Sequence, residues 1–448
     1  SAVNCIVDCR DGRNYWIGLE DGMIYKYAPG NEAVMVERCM ESCSQEEMEI
    51  YNIKNIYEDE HGNLYIGTWG SGLKEWHYSV ETNQYIESLS LNEQNGLGNN
   101  FVSDILVDRE GIFWFATYGG GVIAWINNYF AQYNLSDIGF QRNKVISSVV
   151  DGNDLWLGLN NGLVKMDVQC MANFEYFDHS LGLPQGAAVT AICFDKNRDI
   201  QYVATDMSGV FYKRTTDHSF RKLNYASGSR TTEKINSLAI DDFHLYIATQ
   251  GGFLVYNLEN GNCITYTTMD GLPHNNINYV YIDGNGEVWL GPKDSGIARF
   301  TGEGEFEIHR LSDAPVNVIG MTHDSRDRMW LATINNGIIC SNNDSIISIS
   351  TADGLEKNYC YGIATDGSDR IWVCHQPGLS CIDLNTGNIR TFNATNGIGH
   401  EFMGVTNDTN GDLWFSSASG VVHYMTRNDK RNSIAPIINL SRIVISGK

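Results

Sequence analysis

The chain has 448 residues, enough for two or three domains or for one large repeat domain. It carries 31 basic and 54 acidic residues, and the resulting net charge of −23 disfavours binding to nucleic acid or to an anionic membrane surface. No run of about 18 apolar residues occurs, so no segment predicts a membrane-spanning helix. Because the chain starts at Ser1 without a leader, we expect a mature product or a fragment.

The composition favours many short strands joined by tight turns, because 45 glycines accompany only 7 prolines and 11% aromatic residues. The 11 cysteines include no Cys-x-x-Cys pair, so neither a zinc site nor a thioredoxin-type site is predicted. We expect most of them to be buried free thiols. Cys39 and Cys43, in an acidic insertion, could pair.

One sequence unit recurs along the whole chain. It begins with Asp and a short Gly/Asn turn, continues with an apolar residue, Trp or Tyr, another apolar residue and Gly or Ala, often adds Thr, and ends a few residues later with Gly and an aliphatic residue. Residues 59–73 are one copy and residues 408–421 another. The anchor aromatics, 41–49 residues apart, are Trp16, Tyr65, Trp114, Trp156, Tyr202, Tyr246, Trp289, Trp330, Trp372 and Trp414.

A period of about 40–45 residues is typical of a four-stranded propeller blade. The unit around Trp289 illustrates this, since residues 280–283, 288–291, 296–300 and 306–309 are strand-like and residues 284–286 read as a hairpin turn. The glycine at the end of the second strand would leave room for the neighbouring blade. Helical periodicity is nearly absent, with Gln45 to Ile53 as the best helix candidate.

Ten repeats exceed the four to eight blades usual in one ring. Several linkers between repeats carry Gly followed by Leu or Ile, but the linker from Trp125 to Lys144 does not, and we place a seam there. We therefore predict three blades of a first, incomplete propeller at 1–140 and a seven-bladed propeller at 141–432. One ten-bladed ring is the alternative. Residues 433–448 have no repeat signature and predict the start of an immunoglobulin-like β-sandwich.

The segments 64–68 and 155–158, with Asn161-Gly162-Leu163, resemble the regulator-propeller repeat. Tandem arrays of this repeat, followed by a β-sandwich, resemble the periplasmic sensor region of hybrid two-component systems of Bacteroidetes. The resemblance implies a non-enzymatic sensor that binds an oligosaccharide from a polysaccharide and signals to a kinase outside this chain, which regulates transcription. It also implies a homodimer in the full-length receptor, and contact with the membrane only through a downstream segment.

Ligands of propellers usually bind where loops converge at one end of the ring. The loops after the anchor strands and the linkers between blades share one end, and they are rich in amides, carboxylates and aromatic rings, which suit sugar hydroxyls and the apolar faces of sugars. Turns also favour Asn and Asp for conformational reasons. The candidate ligand-binding residues are Trp69, Tyr118, Asn160, Asp206, Gln250, His274, Asn275, Lys293, Asn335, Lys357, Tyr359, His375, His400 and Glu401.

No catalytic residue, metal ligand or cofactor is predicted. His274 and His400 occupy matching positions after linker glycines, but their blades are nearly opposite each other in a seven-bladed ring. Asp283 begins a segment like a calcium loop, but Val288 stands where that loop needs Gly. Two alternatives to the sensor are a protein–protein scaffold without a small ligand, and a propeller lyase or hydrolase acting on glycans.

Overall fold

A computed structural model describes residues 1–429, except residues 32, 39–51, 60–61, 80–83, 94–96, 110, 126–128, 141–143, 169–173, 226–229, 303, 343–344 and 395–397. These residues form β-strands and short 3₁₀ turns at Leu135–Ile138, His179–Leu181, Thr268–Asp270 and Thr426–Asn428. The all-β fold of repeated sheets predicted from the sequence is confirmed. Within the described part of the chain, none of the helices has the length and apolar character needed to cross a bilayer.

The chain divides into two compact units. Unit 1 contains residues 1–128 together with the residues from Arg427 on, and unit 2 is Tyr129–Thr426. Unit 1 has two four-stranded antiparallel sheets and a third sheet with three described strands. Its strands are β1 (Val3–Asp8), β2 (Tyr15–Leu19), β3 (Met23–Tyr27), β4 (Val34–Arg38), β5 (Ile53–Glu58), β6 (Leu64–Thr68), β7 (Leu73–Ser79), β8 (Gln84–Leu91), β9 (Val102–Val107), β10 (Phe113–Thr117) and β11 (Gly121–Trp125).

Unit 2 contains seven four-stranded sheets. The strands of its first four sheets are β13 (Val145–Asp151), β14 (Asp154–Leu159), β15 (Gly162–Asp167), β16 (Phe174–Phe177), β17 (Val189–Asp195), β18 (Ile200–Thr205), β19 (Gly209–Arg214), β20 (Arg221–Lys222), β21 (Ile235–Ile240), β22 (His244–Thr249), β23 (Phe253–Asn257), β24 (Cys263–Tyr266), β25 (Ile277–Ile282), β26 (Val288–Pro292), β27 (Ile297–Phe300) and β28 (Phe306–His309). Those of the other three are β29 (Val318–His323), β30 (Met329–Thr333), β31 (Ile338–Asn342), β32 (Ser345–Ile349), β33 (Gly362–Thr365), β34 (Arg370–Cys374), β35 (Gly378–Asp383), β36 (Ile389–Asn393), β37 (Gly404–Asn407), β38 (Leu413–Ser416), β39 (Gly420–Tyr424) and β12 (Phe130–Asn134).

The first strands of the seven sheets contact each other in chain order, from β13 through β17, β21, β25, β29 and β33 to β37, and β37 contacts β13. Seven sheets, not ten, complete this cycle. The last sheet has the order β12-β39-β38-β37, so its outer strand comes from the start of the unit. Phe130 pairs with Tyr424 and Asn134 with Gly420. The predicted start of the ring at residue 141 therefore omits a strand. The predicted division of the chain into domains otherwise stays a prediction.

The anchor aromatics lie on the second strand of each sheet, and all of them except Trp114 pack against the sheet that follows within the same unit. The ring centroid of Tyr65 lies 4.4 Å from that of Phe113 in the third sheet. Trp414, in the last sheet of unit 2, packs in one buried cluster with Leu155 of the first, which closes the cycle. Trp114, on the third sheet of unit 1, is 37% exposed, whereas Trp414 is 1% exposed.

In five repeats the Asp binds its own anchor tryptophan. The tryptophan lies six positions after the aspartate, and its indole Nε1 donates to a carboxylate oxygen at 2.8–3.2 Å. The pairs are Asp108–Trp114, Asp283–Trp289, Asp324–Trp330, Asp366–Trp372 and Asp408–Trp414. The other carboxylate oxygen accepts backbone N–H groups of the hairpin, as that of Asp283 does from Asn285 and Glu287 at 2.9 Å. One aspartate side chain thus fixes both the hairpin turn and the indole ring of the tryptophan.

The Gly and Thr of the repeat also have distinct roles. A Cβ atom added to Gly158 would lie 2.6 Å from the carbonyl oxygen of Val189 in the next sheet, so this glycine permits close approach of two sheets. The hydroxyl of Thr205 donates to the carbonyl oxygen of Gly209 at 2.8 Å and closes the turn after the anchor strand.

Three predictions fall outside the described residues. They are the pairing of Cys39 with Cys43, the β-sandwich at 433–448 and most of the helix from Gln45 to Ile53, although Ile53 itself begins β5. The cysteines that the structure describes are free, and most of them are buried.

Candidate functional site

A channel lies between the seven innermost strands of unit 2. Its volume is about 500 Å³, which is within the range of roughly 300–1,000 Å³ typical of small-ligand sites. Every one of the seven sheets contributes to its wall. The lining residues are Ile146–Ser148, Thr190–Ile192, Asp206, Ile235–Leu238, Gln250, Asn278, Tyr279, Ile319, Gly320, Tyr361–Ile363 and Met403–Val405.

Three polar side chains of the channel wall connect neighbouring sheets. Each donates a hydrogen bond to a carbonyl oxygen on the first strand of the next sheet, which supplements the packing between sheets. The donor–acceptor pairs are Ser147–Val189, Thr190–Ile235 and Asn236–Ile277, at 2.9, 2.9 and 2.7 Å. The channel wall is therefore held in place by its own polar groups, which favours a preformed site.

The post-anchor loops and the linkers meet at one end of the ring. The backbone N–H of Asn160, just after β14, donates to the carbonyl oxygen of Lys144, just before β13, at 3.2 Å. In the next sheet the backbone N–H of Asp206 likewise donates to the carbonyl oxygen of Ala188 at 3.0 Å. This end of unit 2 is called the mouth below. Asp206 and Gln250, both predicted as candidates, also line the channel.

A cluster of two tyrosines and an ion pair lies at the mouth. The rings of Tyr359 and Tyr361 are stacked, with centroids 4.5 Å apart and an interplanar angle of 28°. Nζ of Lys144 lies 2.9 Å from Oε2 of Glu401, and this hydrogen bond lowers the pKa of Glu401. Burial, Tyr359 and Glu401 each raise the pKa of Tyr361. Because Tyr361 also lines the channel, the cluster connects the channel wall to the exposed Tyr359.

His375 supports this cluster from within the protein. Its side chain is fully buried, with Nδ1 3.0 Å from the carbonyl oxygen of Tyr359 and Nε2 3.0 Å from Oγ of Ser380. Ser380 Oγ in turn accepts the backbone N–H of Glu356 at 3.0 Å. Burial lowers the pKa of His375. His375 thus positions the linker that carries Tyr359 and does not face solvent.

The side chains of three further candidates accept hydrogen bonds from the backbone of loop residues. Asn160 accepts the backbone N–H of Lys144 at 3.0 Å, and Asn275 accepts that of Thr268 at 2.7 Å. Nδ1 of His274 accepts the backbone N–H of Asn276 at 2.8 Å. These contacts shape the loops. The remaining candidates of unit 2 are exposed residues at or near the mouth, namely Lys293, Asn335, Lys357 and His400.

Trp69 and Tyr118 belong to unit 1 and lie together. Their ring centroids are 5.3 Å apart, and Tyr118 is 70% exposed. The predicted set therefore falls into two groups, one in each unit.

The sequence prediction did not include Lys144 and Tyr361, nor the polar residues of the inner strands. The sequence does contain a signal for the polar residues of the inner strands. In three inner strands the first aliphatic residue is followed by a polar one, namely Thr190, Asn236 and Asn278. Lys144 and Tyr361 immediately precede the inner strands β13 and β33, a position where the sequence carries no recurring residue type.

Within the described residues, Asp408, Asp412 and His423 have ligand atoms within 4.8 Å of one another, close enough to hold a metal ion. They already bind neighbouring groups. Asp408 accepts the indole N–H of Trp414 at 3.2 Å, and Asp412 accepts the backbone N–H of Thr426 at 2.8 Å. Because these bonds account for the arrangement, we assign no metal site to it.

The model of the family "Two component regulator propeller" matches residues 48–70, 96–119 and 271–294. The chain is 22% identical over 418 residues to "Histidine kinase P4" of Formosa agariphila, covering 87% of this chain. It spans 27% of the length of that curated relative.

Among solved structures, the extracellular domain of a hybrid two-component system of B. thetaiotaomicron matches with a TM-score of 0.63 and 21% identity, covering 95% of this chain and 56% of the other. The virginiamycin B lyase of Staphylococcus aureus matches with a TM-score of 0.55 and 11% identity, covering 66% of this chain and 98% of the other. At these identities the likeness shows the fold alone. The chain thus has a β-propeller fold, and three of its segments match the two-component regulator propeller model, which agrees with the resemblance seen in the sequence.

Proposed function

We propose that this chain is the ligand-sensing, periplasmic part of a hybrid two-component sensor, and that the mouth of unit 2 binds an oligosaccharide. The family match and the likeness to extracellular domains of two-component systems support the sensor context. The kinase that would receive the signal lies outside this chain. Binding would act by favouring one arrangement of a receptor homodimer, which requires different ligand affinities in the two arrangements.

The observation that carries the proposal is the Tyr359–Tyr361 stack beside the Lys144–Glu401 pair at the end of the channel. Aromatic rings bind the apolar face of a sugar, and charged or amide groups bind its hydroxyls. Asp206 and Gln250 add a carboxylate and an amide on the channel wall. A volume of about 500 Å³ admits a short oligosaccharide segment but not a folded protein domain.

Isothermal titration calorimetry of the whole chain with maltohexaose, xylohexaose and hexagalacturonic acid tests the proposal. We expect one of these, or a member of a larger panel, to bind, and Tyr361→Ala to weaken that binding about tenfold, or about 1.4 kcal/mol. Phe243→Ala is the matched control, because Phe243 is an exposed aromatic in the hairpin at the opposite end of its sheet. Equal loss in both variants, or no binding of any glycan by the intact chain, would contradict the proposal.

A further inference from the structure

Trp69 and Tyr118 occupy the same position of two successive repeats in unit 1. Each directly follows the threonine that ends the second strand of its sheet, namely Thr68 of β6 and Thr117 of β10. No Trp, Tyr or Phe occupies this position in unit 2, where the corresponding residues are Asn160, Asp206, Gln250, Lys293, Ile334, His375 and Ser417. Unit 1 therefore presents aromatic rings where unit 2 mainly presents polar groups.

Backbone hydrogen bonds hold the two rings side by side. The N–H of Trp69 donates to the carbonyl oxygen of Asn52 at 2.8 Å, and the N–H of Tyr118 donates to that of Phe101 at 2.9 Å. The ring of Trp69 lies 5.3 Å from that of Tyr118 and 5.2 Å from that of Phe101. Phe101 thus supports Trp69 from one side, while Tyr118 stays 70% exposed. Exposed aromatic groups in fixed positions are typical of binding surfaces.

Polar groups surround the pair. Nζ of Lys54 lies 5.3 Å from the centroid of the Trp69 ring. Nδ2 of Asn4 donates to Oδ1 of Asn52 at 2.5 Å, and Asn52 is the residue whose carbonyl oxygen binds Trp69. An ammonium group thus lies over the Trp69 ring, and the residue that anchors the Trp69 backbone carries one of two paired amide side chains.

We infer that Trp69, Tyr118, Lys54, Asn4 and Asn52 form a second saccharide site, which we name the aromatic platform. The planes of the two rings are inclined by 49°, and Lys54 Nζ lies over the Trp69 ring. The apolar face of a pyranose ring would therefore stack on the exposed Tyr118 ring and contact Trp69, while the Asn4 and Asn52 amides and the Lys54 ammonium bind its hydroxyl groups. This inference rests on the proposed function only in the class of ligand, because the platform lies in unit 1 and the mouth cluster in unit 2. A glycan chain could engage either surface independently.

Oxidative footprinting of the whole chain tests the platform without any variant. The chain is exposed to hydroxyl radicals with and without each hexasaccharide named above, and oxidation is measured peptide by peptide. We expect a bound hexasaccharide to reduce oxidation of Trp69 and Tyr118 at least about threefold. Trp114 is the internal control, because it is an exposed tryptophan of the same unit. It alternates along β10 with Phe113 and Phe115, of which Phe113 packs on Tyr65 of the preceding sheet, so its oxidation should not change.

The outcomes separate the two sites. Protection of Tyr359 and Tyr361 without protection of Trp69 and Tyr118 overturns the platform and leaves the mouth standing. Protection of the platform residues alone supports the platform and refutes the mouth of unit 2. No protection at either surface refutes both. Tyr118→Ala should in addition weaken platform binding about tenfold in calorimetry, and an unchanged affinity contradicts the inference.

Discussion

Nδ1 of His375 lies 3.0 Å from the carbonyl oxygen of Tyr359. Because a carbonyl oxygen only accepts hydrogen bonds, Nδ1 carries a proton, and Nε2 lies 3.0 Å from Oγ of Ser380. Burial lowers the pKa of His375, which favours the neutral imidazole, in which Nε2 accepts the Ser380 hydroxyl. The position of Tyr359 thus depends on an uncharged histidine.

This arrangement predicts that acid destabilises unit 2. In the unfolded chain His375 has an ordinary pKa of about 6.5, whereas the folded pKa is lower, so the unfolded state binds more protons between the two values. Stability is then lost as the pH falls through about 6.5, by at most about 1.4 kcal/mol per pH unit from this group. Thermal unfolding between pH 7.5 and 5 should show a shallower pH dependence for His375→Gln than for the parent. His218→Gln, at an exposed position, should keep the parental slope.

Asp324 should be more important for stability than its counterpart Asp283. Asp324 accepts from Nε1 of Trp330 at 2.9 Å and from Nε of Arg328 at 2.7 Å. Although burial raises its pKa, these bonds lower it overall. We expect Asp324→Ala to cost about 3–5 kcal/mol, because it removes one partner of a buried ion pair. Asp283→Ala, which removes only neutral donors, should cost about 1–3 kcal/mol. Urea unfolding measures both, and equal costs would refute the assignment.

Gly158 should not tolerate a side chain. Its Cβ would lie 2.6 Å from the carbonyl oxygen of Val189, so Gly158→Ala must push two sheets apart at a cost of about 1–3 kcal/mol. Gly284 is the control, because no atom lies within 4 Å of a Cβ built there. Gly284→Ala should change the free energy of unfolding by less than about 0.5 kcal/mol. A similar melting temperature for the two variants would argue against tight contact at Gly158.

Phe130 should contribute strongly to the closing sheet. It is 8% exposed and packs with Trp372, Phe392 and Tyr424 at centroid distances of 5.2–6.0 Å. Phe130→Ala should cost about 3–5 kcal/mol. Phe174→Ala, at a position that is 40% exposed, should cost less than half as much. Chemical denaturation of the two variants checks this, and a similar cost would show that β12 adds little to the sheet.

The fold was predictable because its determinants are local. Asp, the turn, the anchor aromatic, Gly and Thr lie within about ten residues of each other, and each makes a contact in the structure that explains its residue type. The strand β12 was not predictable in this way, since its partner β39 lies almost 300 residues later in the sequence and β12 carries no turn signal of its own. Pairing over such a separation is set by closure of the ring and not by neighbouring residues.

The candidate site was only partly predictable, because side-chain direction depends on distant contacts. The loop position of His375 suggested exposure, but the Tyr359 carbonyl and Ser380 turn its ring inward. Tyr361, in contrast, was not a candidate, because nothing in its sequence shows that the strand it precedes is an inner strand lining the channel. Trp69 and Tyr118 were correctly placed in post-anchor loops, and their proximity follows from the stacking of successive sheets in unit 1.

The pairing of β12 with β39 brings the two chain ends of unit 2 together. The backbone N–H of Met425 donates to the carbonyl oxygen of Tyr129 at 2.7 Å, so the polypeptide enters and leaves the ring through adjacent residues. An element with adjacent ends can be removed or replaced without changing the distance between the segments that flank it. Residues 129–426 therefore have the geometry of an interchangeable cassette, which recombination could exchange for a ring of different specificity while the rest of the polypeptide stays the same.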